Sequence, residues 1–450
     1  MSTYRLIAAR RAPVSKDYKA YHGRNLREIP QISRLSKELI EEIEVVSQVF
    51  PVKVNNYVLD HLIHWDEAPD DPMFRVVFPR REMLSATDYD TVAAALARDA
   101  DAGEMRRIAD DIRARLNPPP GGQREFNVPA LDEAPLPGMQ HKYRETVLFF
   151  PSQGQTCHAY CTFCFRWAQF VGPSMSRFAT RETGQLVAWL RAHPEVSDVL
   201  YTGGDPLVMS ARNLATYLLP VVEAGLPHVQ RIRIGTKALG FWPYRFVSDP
   251  DAPELLALFR RIVRGGHHLA LMAHFNHPRE LETDVVQEAL AHLRETGIEI
   301  RTQSPLLRGI NDDAAVWADL WRAQVNHGCV PYYMFLARDT GAQPCFAVPL
   351  VEAATIYRDA YRQVSGLSRT VRGPSMSTAP GKVEIVGVST INGERVIALR
   401  FLQARTPEWV MQPFFARYDA EATWLDELKP AFGAPHFFFE HAEPLRRRAV

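Results

Sequence analysis

Three of the five cysteines, Cys157, Cys161 and Cys164, lie close together in the sequence, and their thiolates could bind a metal. Thiolates are soft ligands that suit iron–sulfur clusters and zinc. If only three thiolates hold a [4Fe–4S] cluster, one iron keeps an open position, where it can chelate the amino and carboxylate groups of a small molecule. The triad therefore points first to an iron–sulfur centre.

The spacing of the triad leaves two other structures open. Cysteines at positions i, i+4 and i+7 share one helix face, so they could form a buried stripe, although nothing before them resembles a helix start. A structural zinc ion would need a fourth ligand, for which His158, Cys329 and Cys345 are the candidates. Because Gly154 follows the apolar run 147–150, we expect the cysteines in a loop after a strand.

Gly203, Gly204 and Asp205 directly follow another apolar run, 198–201. Paired glycines let backbone N–H groups approach a carboxylate or ammonium closely. The same residues also occur in plain turns, which is the alternative for this motif. We therefore regard the segment as a candidate ligand-binding loop near the triad.

Four more polar residues, Lys237, His274, His277 and Gln303, follow later apolar runs. The two histidines could share a metal ion, but no carboxylate has the spacing to complete such a site. The residues at the ends of these runs are therefore candidates for contacts with a bound small molecule.

Composition excludes several classes of protein. The chain has 52 basic and 52 acidic residues, so its net charge gives no reason to expect nucleic acid or an anionic membrane as a partner. The N-terminus lacks the apolar core of a secretory signal, and no uncharged apolar run reaches about 18 residues. Since the chain has only five cysteines and three of them fall within eight residues, they do not resemble a disulfide framework, and we expect a cytoplasmic protein.

The apolar pattern predicts helices over 33–49, with Ser36 as a cap, and over 87–116. Further on, short apolar runs alternate with helix-like segments, which is typical of βα units and a parallel sheet. The expected fold is α/β, a partial (β/α)6 barrel with its chemistry at the C-terminal ends of the strands. The predicted strands are 147–150, 198–201, 230–235, 268–272, 298–302 and 330–336, and the helices after them are 182–193, 211–224, 252–264, 280–296, 313–327 and 350–364.

Three regions follow from this pattern. Residues 1–122 are predicted to be mainly helical and to end in the Pro-Gly-rich segment 117–122, while 123–365 form the barrel. Residues 366–450 form a C-terminal extension that is β-rich over 370–402, with Gly373, Gly381, Gly387 and Gly393 expected at turns.

The motifs together resemble the lysine 2,3-aminomutase family of radical S-adenosylmethionine (SAM) enzymes, from about Asp71 to Lys382. The C-x3-C-x2-C spacing, with an aromatic residue before the third cysteine, is typical of the radical SAM superfamily. The other motifs are DPMFRVVFPRREMLSATDY (71–89), HKYRETVLF (141–149), TGGDPL (202–207), RIRIGTK (231–237), HFNHP (274–278), LLRGIND (306–312), PYYMFLARDTG (331–341) and APGK (379–382).

This resemblance implies a barrel of radical SAM type and a defined chemistry. A [4Fe–4S] cluster on the triad reduces SAM, and the resulting 5′-deoxyadenosyl radical takes a hydrogen from the β-carbon of an amino acid. The amino group, held as a Schiff base of pyridoxal 5′-phosphate (PLP), then migrates from the α-carbon to the β-carbon.

The resemblance also assigns residues. Lys382 stands at the position of the Schiff-base lysine, which requires a deprotonated amine, although a surface lysine after a Pro-Gly turn is the alternative. Arg166 matches the arginine that pairs with the substrate carboxylate, and Asp339 matches a carboxylate for the distal ammonium of lysine. The predicted contacts to SAM and PLP are Gly203, Gly204, Asp205, Lys237, His274, Gln303, Tyr143, Lys142 and Lys382.

Three departures from the family pattern are visible. The segment before the lysine is shortened to 377–382 and lacks a second carboxylate for a distal ammonium, which leaves the substrate open. Lys142 and Thr146 replace two arginines near the PLP phosphate, with Arg144 and Arg233 as possible compensation. No cysteine follows Cys345, so we predict no C-terminal zinc site.

The expected partners are a free amino acid, a reductant protein of flavodoxin or ferredoxin type, and further copies of the chain. Two alternatives remain at this point. One is a radical SAM enzyme of the same fold without PLP, such as an isomerase, epimerase or eliminating enzyme. The other is a non-catalytic metal-binding interaction protein.

Overall fold

The computed structural model describes residues 17–117, 126–171 and 178–440 of the chain. The strands in these residues form one sheet of eleven strands and two small sheets of two strands each. In chain order the strands are β1 (Ala20–His22), β2 (Lys53–Asn55), β3 (Ala130–Leu131), β4 (Ala134–Pro135), β5 (Met139–Tyr143), β6 (Thr146–Phe149), β7 (Asp198–Tyr201), β8 (Arg231–Thr236), β9 (His268–His274), β10 (Glu299–Leu306), β11 (Val330–Leu336), β12 (Arg372–Ser377), β13 (Gly381–Ile391), β14 (Glu394–Ala404) and β15 (Pro413–Arg417).

Helices connect most of these strands, and short 3-10 turns fill several of the remaining links. The α-helices in the described residues are α1 (Lys37–Ser47), α2 (Pro72–Val77), α3 (Ala86–Ala97), α4 (Ala102–Leu116), α5 (Ala168–Val171), α6 (Thr183–Ala192), α7 (Ala211–Val222), α8 (Ala238–Phe241), α9 (Ala252–Arg264), α10 (Asp284–Glu295), α11 (Ala314–Asn326), α12 (Gln343–Phe346) and α13 (Leu350–Arg362).

The large sheet confirms the α/β prediction. Its strands are arranged in chain order from β5 to β15, and β6 to β12 pair in parallel. All six predicted strands are present, but the parallel run has a seventh member, β12, which the sequence pattern placed in the C-terminal extension. Ser375 of β12 pairs with Phe335 of β11, so the sheet continues across the predicted boundary at residue 365.

The two faces of the parallel strands differ in polarity. In β8, Ile232 and Ile234 are fully buried, whereas Arg231, Arg233 and Gly235 line an internal cavity. This alternation follows from the two-residue repeat of a strand. One face therefore packs in the apolar core, and the other presents polar side chains to the cavity.

The predicted helix over 87–116 is wrong as a single element. The chain breaks it into α3 and α4 near Asp99, whose φ of 52° is left-handed. Asp101 then starts α4, because its carboxylate accepts hydrogen bonds from the backbone nitrogens of Gly103 and Glu104 at 2.8 and 2.9 Å. Ser36 caps α1 as predicted, by accepting from the backbone nitrogen of Leu39.

Two of the glycines expected at turns lie inside strands. Gly373 is in β12, where a Cβ would overlap the Met334 backbone, and Gly387 is at a register shift within β13. Gly393 does form the hairpin turn between β13 and β14, together with Asn392, and both have positive φ. The division into three regions stays a prediction, and its boundary at residue 122 lies outside the described residues.

Within residues 17–117, 126–171 and 178–440, no helix combines the length and apolar character needed to cross a bilayer.

Candidate active site

One large cavity of about 1060 Å³ lies against the polar face of the sheet. Its wall contains every predicted site residue, although these residues come from distant parts of the sequence. They are Lys142, Tyr143, Cys157, Cys161, Cys164, Arg166, Gly203, Gly204, Asp205, Lys237, His274, Gln303, Asp339 and Lys382. The sequence assignments therefore converge on a single space.

The three cysteines lie in the irregular loop between β6 and α5, so they are not a stripe on a helix. Strand β2 holds this loop from the N-terminal side. Lys53 Nζ donates to the Cys157 carbonyl at 2.7 Å, and Asn55 Nδ2 donates to the His158 carbonyl at 3.2 Å. The backbone nitrogen of Tyr160 in turn donates to the Lys53 carbonyl at 2.8 Å. Strand β2 thus positions the metal-binding loop.

The electrostatics of the triad fit a bound metal centre. Burial raises the pKa of the thiols of Cys157, Cys161 and Cys164 above the ordinary value, so without a metal these groups are neutral. A bound iron centre supplies the positive charge that favours thiolates in such a place.

A single zinc ion does not match the spacing of the thiols. Zn–S bonds of about 2.3 Å would hold three sulfurs within about 4 Å of each other. Among the described residues, His64, Glu67 and Asp71 are the only three potential metal ligands whose ligand atoms all lie within 4.8 Å of one another. The three thiols of the triad do not meet this criterion, so they are more widely spaced. This spacing favours a larger cluster.

Gly204 holds the loop after β7 tightly against the cysteine loop. A Cβ at Gly204 would lie 2.6 Å from the backbone nitrogen of Thr156, which is a steric overlap. The next residue, Asp205, donates its backbone N–H to the Thr156 carbonyl at 2.7 Å. Because Thr156 precedes Cys157, the glycine fixes the start of the cysteine loop.

We expect Gly204→Ala to lower the iron content of the reconstituted protein while most of the fold survives. The added methyl group must displace the Thr156 backbone, and overpacking of this kind costs about 1–3 kcal/mol. The measurements are iron per chain and the circular dichroism spectrum. Gly184→Ala is the matched control, since nothing lies within 4 Å of a Cβ on this exposed glycine of α6. Equal iron content in the two variants would contradict the assigned role of Gly204.

Asp205 and Lys237 are bound within the protein rather than free for a ligand. The Asp205 carboxylate accepts hydrogen bonds from Thr236 Oγ1 and from the backbone nitrogen of Lys237, both at 2.8 Å. Lys237 Nζ donates to Glu280 Oε1 at 2.6 Å and to Asn276 Oδ1 at 2.8 Å. A direct cofactor contact by the Lys237 ammonium stays a prediction, and these bonds make the residue a support for the cavity wall.

Glu280→Gln should strongly destabilise the protein, because it leaves the Lys237 ammonium charged and unpaired in the interior. Glu280 is fully buried, and Lys237 is 7% exposed. Removal of one partner from a buried ion pair costs about 3–5 kcal/mol. The same change at Glu223, whose pair with Arg261 is more than half exposed, should cost less than about 1 kcal/mol. Comparable shifts in the two urea unfolding midpoints would contradict this account.

Arg166 is a buried cation with free hydrogen-bonding capacity. Its guanidinium packs over the Phe150 ring, 4.1 Å from the centroid, and its Nη1 has no hydrogen-bond partner within the described residues. Burial lowers the Arg166 pKa to about 10, so the group stays charged at neutral pH. A buried guanidinium that faces a cavity is suited to bind a carboxylate through paired hydrogen bonds.

Lys382 is the second reactive group in the cavity and is not a surface lysine. It lies in β13, and its Nζ is 3.8 Å from the centroid of the Tyr333 ring. Burial, together with the charges of Arg372 and Arg233, lowers its pKa to about 7. A large share of the amine is therefore neutral at physiological pH, as Schiff-base formation requires.

Lys142 lies where β5 meets the segment between β12 and β13. Its Nζ donates to the Thr378 carbonyl, and burial, aided by Arg405 and other nearby cations, lowers its pKa well below the ordinary value. A bound anion such as a phosphate would offset this repulsion. Tyr143, the next residue, also lines the cavity.

The two arginines considered as compensation for the missing phosphate ligands differ in their surroundings. Arg233 is engaged in a two-point ion pair with Asp198, which also accepts a hydrogen bond from Thr146 Oγ1 at 3.0 Å. Arg144 is exposed and outside the cavity wall. Of the cations considered for the phosphate, Lys142 is therefore the one that lines the cavity without a carboxylate partner among the described residues.

Asp339 is paired with its own neighbour. Arg338 Nε donates to Asp339 Oδ1 at 3.3 Å, and the Arg338 guanidinium packs against Phe165 and Trp424. Asp339 is 35% exposed, compared with 18% for Arg338. A distal ammonium would therefore meet Arg338 beside the carboxylate that the family resemblance assigned to it.

The two histidines of the HFNHP motif, His274 and His277, lie in different surroundings. His274 faces the cavity, and its buried Nε2 has no partner in the described residues, which suits contact with a ligand. His277 Nδ1 instead accepts from the backbone nitrogen of Arg279 and starts a 3-10 turn. His277 does not line the cavity, while Gln303 joins His274 on the cavity wall.

Comparison with known proteins decides the family. No protein-family model matches the chain. The chain is 31% identical over 396 residues to the "Putative L-lysine 2,3-aminomutase" of Aquifex aeolicus (strain VF5), which covers 88% of this chain and 92% of that protein. The chain belongs to the lysine 2,3-aminomutase family. It is also 30% identical over 260 residues to the L-lysine 2,3-aminomutase of Escherichia coli (strain K12), covering 56% of this chain and 72% of that protein.

Membership of the lysine 2,3-aminomutase family confirms the predicted enzyme class, a radical SAM isomerase of aminomutase type. The family uses a [4Fe–4S] cluster, SAM and PLP, which is the predicted cofactor set. The non-catalytic alternative thereby loses its support.

Among solved structures, a radical SAM methyltransferase from Sphaerobacter thermophilus has a TM-score of 0.36 and 18% identity, covering 52% of this chain and 68% of that chain.

Within this lysine 2,3-aminomutase family member, sequence reasoning missed Arg338, Tyr333 and Asp426 as cavity residues. Arg338 and Tyr333 lie in the quoted motif 331–341, just after β11 and within it respectively, so the motif was a usable signal. Asp426 comes from the C-terminal extension, after β15, and no local pattern indicated that this segment reaches the cavity.

Proposed function

We propose that this chain is a PLP-dependent radical SAM 2,3-aminomutase that moves the amino group of a free amino acid from the α-carbon to the β-carbon. The observation that carries the proposal is the convergence of three groups on one cavity: the cysteine triad, the unpaired guanidinium of Arg166 and the low-pKa amine of Lys382. A radical generator, a carboxylate site and a Schiff-base lysine are what this reaction needs.

The residues present fit the implied cofactors. Cys157, Cys161 and Cys164 would hold the cluster, and the close approach of backbone at Gly203 and Gly204 suits SAM beside it. When bound, the cluster and SAM supply a 5′-deoxyadenosyl radical, and PLP supplies a conjugated system that stabilises an adjacent carbon radical.

The protein contributes binding, orientation and proton control. Arg166 holds the substrate carboxylate and so orients the β-carbon within the cavity. Lys382 offers a neutral amine to which PLP would attach, while Lys142 and Tyr143 would hold its phosphate end. His274 and Gln303, which line the cavity from β9 and β10, would contact SAM.

We also propose that the sheet is rolled into a partial barrel of radical SAM type. Support comes from contacts between β14 and β5, which lie near opposite ends of the strand order, and from the hydrogen bond of Lys142 to the Thr378 carbonyl across the same seam.

The reductant of flavodoxin or ferredoxin type, the oligomeric state and the cytoplasmic location stay predictions.

The test is anaerobic incubation of the reconstituted, reduced protein with SAM, PLP and a panel of amino acids, followed by mass spectrometry. The expected result is 5′-deoxyadenosine together with a β-amino isomer of one substrate. SAM cleavage that yields an epimer or an elimination product, with or without added PLP, would support the PLP-free alternative instead. Failure to cleave SAM by protein that holds a full cluster would contradict the proposal.

A further inference from the structure

Arg338 presents unused hydrogen-bond donors to the cavity. Its only side-chain hydrogen bond within the described residues runs from Nε to Asp339 Oδ1 at 3.3 Å, which leaves both terminal nitrogens without a protein acceptor. The guanidinium is held in place by the rings of Phe165 and Trp424, at 5.6 and 5.8 Å from their centroids. A fixed guanidinium with two free nitrogens is suited to hold a carboxylate at two points.

Arg338 and Arg166 both lie near the same aromatic ring. The Arg166 guanidinium carbon is 5.9 Å from the Phe165 centroid, and that of Arg338 is 5.6 Å from it. The cavity therefore offers two guanidinium groups close to one phenyl ring. This arrangement suits a short ligand with a carboxylate at each end.

Asp339 offsets only part of the Arg338 charge, because it contacts Nε alone and is the more exposed of the two groups. Asp426, also on the cavity wall, is an exposed residue. Because charge interactions strengthen with burial, the less exposed guanidinium of Arg338 determines which distal group is favoured.

We propose that the substrate is an amino acid with a side-chain carboxylate, whose α-carboxylate binds Arg166 and whose distal carboxylate binds Arg338. This inference rests on the proposed function and names the substrate class for the same site. Arg338 is then the residue that determines specificity. The positive character of the site disfavours the distal ammonium of a basic amino acid.

The experiment measures binding to the holoenzyme with cluster, PLP and SAM but without reductant, so that no turnover occurs. L-Glutamate, L-aspartate, L-glutamine and L-lysine are titrated, and the change in PLP absorbance reports affinity. One acidic amino acid is expected to bind at least about tenfold more tightly than L-glutamine or L-lysine. Arg338→Gln should remove this preference and leave the affinity for L-glutamine unchanged, whereas Arg338→Lys should keep part of it. Arg322→Gln, on the surface of α11, is the control.

Each other outcome overturns the inference. If the holoenzyme cleaves SAM on later reduction but binds acidic amino acids no better than L-lysine, the substrate class is wrong and the function stands. If Arg338→Gln loses PLP while the preference among amino acids persists, Arg338 binds cofactor. Asp339→Asn should leave L-glutamate binding intact, and a specific loss of L-lysine binding would instead assign Asp339 to a distal ammonium. If no cluster assembles and SAM is not cleaved, both proposals fall.

Discussion

Cys161→Ala should lose nearly all cluster iron and with it all reductive cleavage of SAM, whereas Cys345→Ala should keep both. Cys161 lines the cavity in the loop that β2 and Gly204 hold in place, while Cys345 lies in α12 and does not line the cavity. Changes outside the ligand shell already cost about 10–100-fold in metal affinity, so loss of a ligand should cost at least that much. The measurements are iron and sulfide per chain and 5′-deoxyadenosine formed under dithionite.

The comparison between the two cysteines separates a cluster ligand from a general effect on folding. Both variants remove one thiol from a partly buried position. If Cys345→Ala loses as much iron as Cys161→Ala, the cluster is not held by the triad alone. If Cys161→Ala keeps the cluster, the assignment of the metal site is wrong.

Lys382→Ala should abolish covalent attachment of PLP. Wild-type protein treated with PLP and borohydride should carry the cofactor on the peptide that contains Lys382, detected by mass spectrometry. Lys142→Gln is the matched variant, since it removes a cation from the same wall but leaves the amine of Lys382. It should weaken PLP binding and still permit trapping at Lys382. Trapping at another lysine in the wild type would contradict the assignment.

The pH dependence of this trapping follows from the low pKa of Lys382. The neutral amine is the reactive form, so attachment should rise through pH 7, where the pKa lies, rather than near the ordinary value of 10.5. At pH 8 about 90% of Lys382 is neutral, compared with less than about 1% of an ordinary lysine. A midpoint for the rate of attachment above pH 9 would show that the amine is not buried as described.

The sequence was sufficient to predict the groups that carry the chemistry. The triad, Arg166 and Lys382 were all named from type, spacing and family resemblance, and the structure brings them to one cavity. The order of strands was also accessible, because each predicted strand β6 to β11 is a short apolar run followed by a helical pattern.

The sequence was not sufficient where a residue's role depends on distant partners. Lys237 resembled a cofactor ligand, but its charge is neutralised by Glu280, which lies on a different segment of the chain. Strand β12 contains Gly373 and Pro374 and has no clear apolar run. Only its pairing with β11 therefore identifies it as part of the parallel sheet. Arg338 gained its importance from Phe165 and Trp424, which are far from it in the sequence.

The most direct test of the central claim is the fate of deuterium at the β-carbon of the substrate. The reduced holoenzyme is incubated with SAM and the β-deuterated amino acid that binds most tightly, and both products are analysed by mass spectrometry. If the cavity joins a radical generator to an aminomutase site, deuterium should appear in 5′-deoxyadenosine and the amino group should be found on the β-carbon. Deuterium-free 5′-deoxyadenosine, or a product whose amino group remains on the α-carbon, would contradict the account.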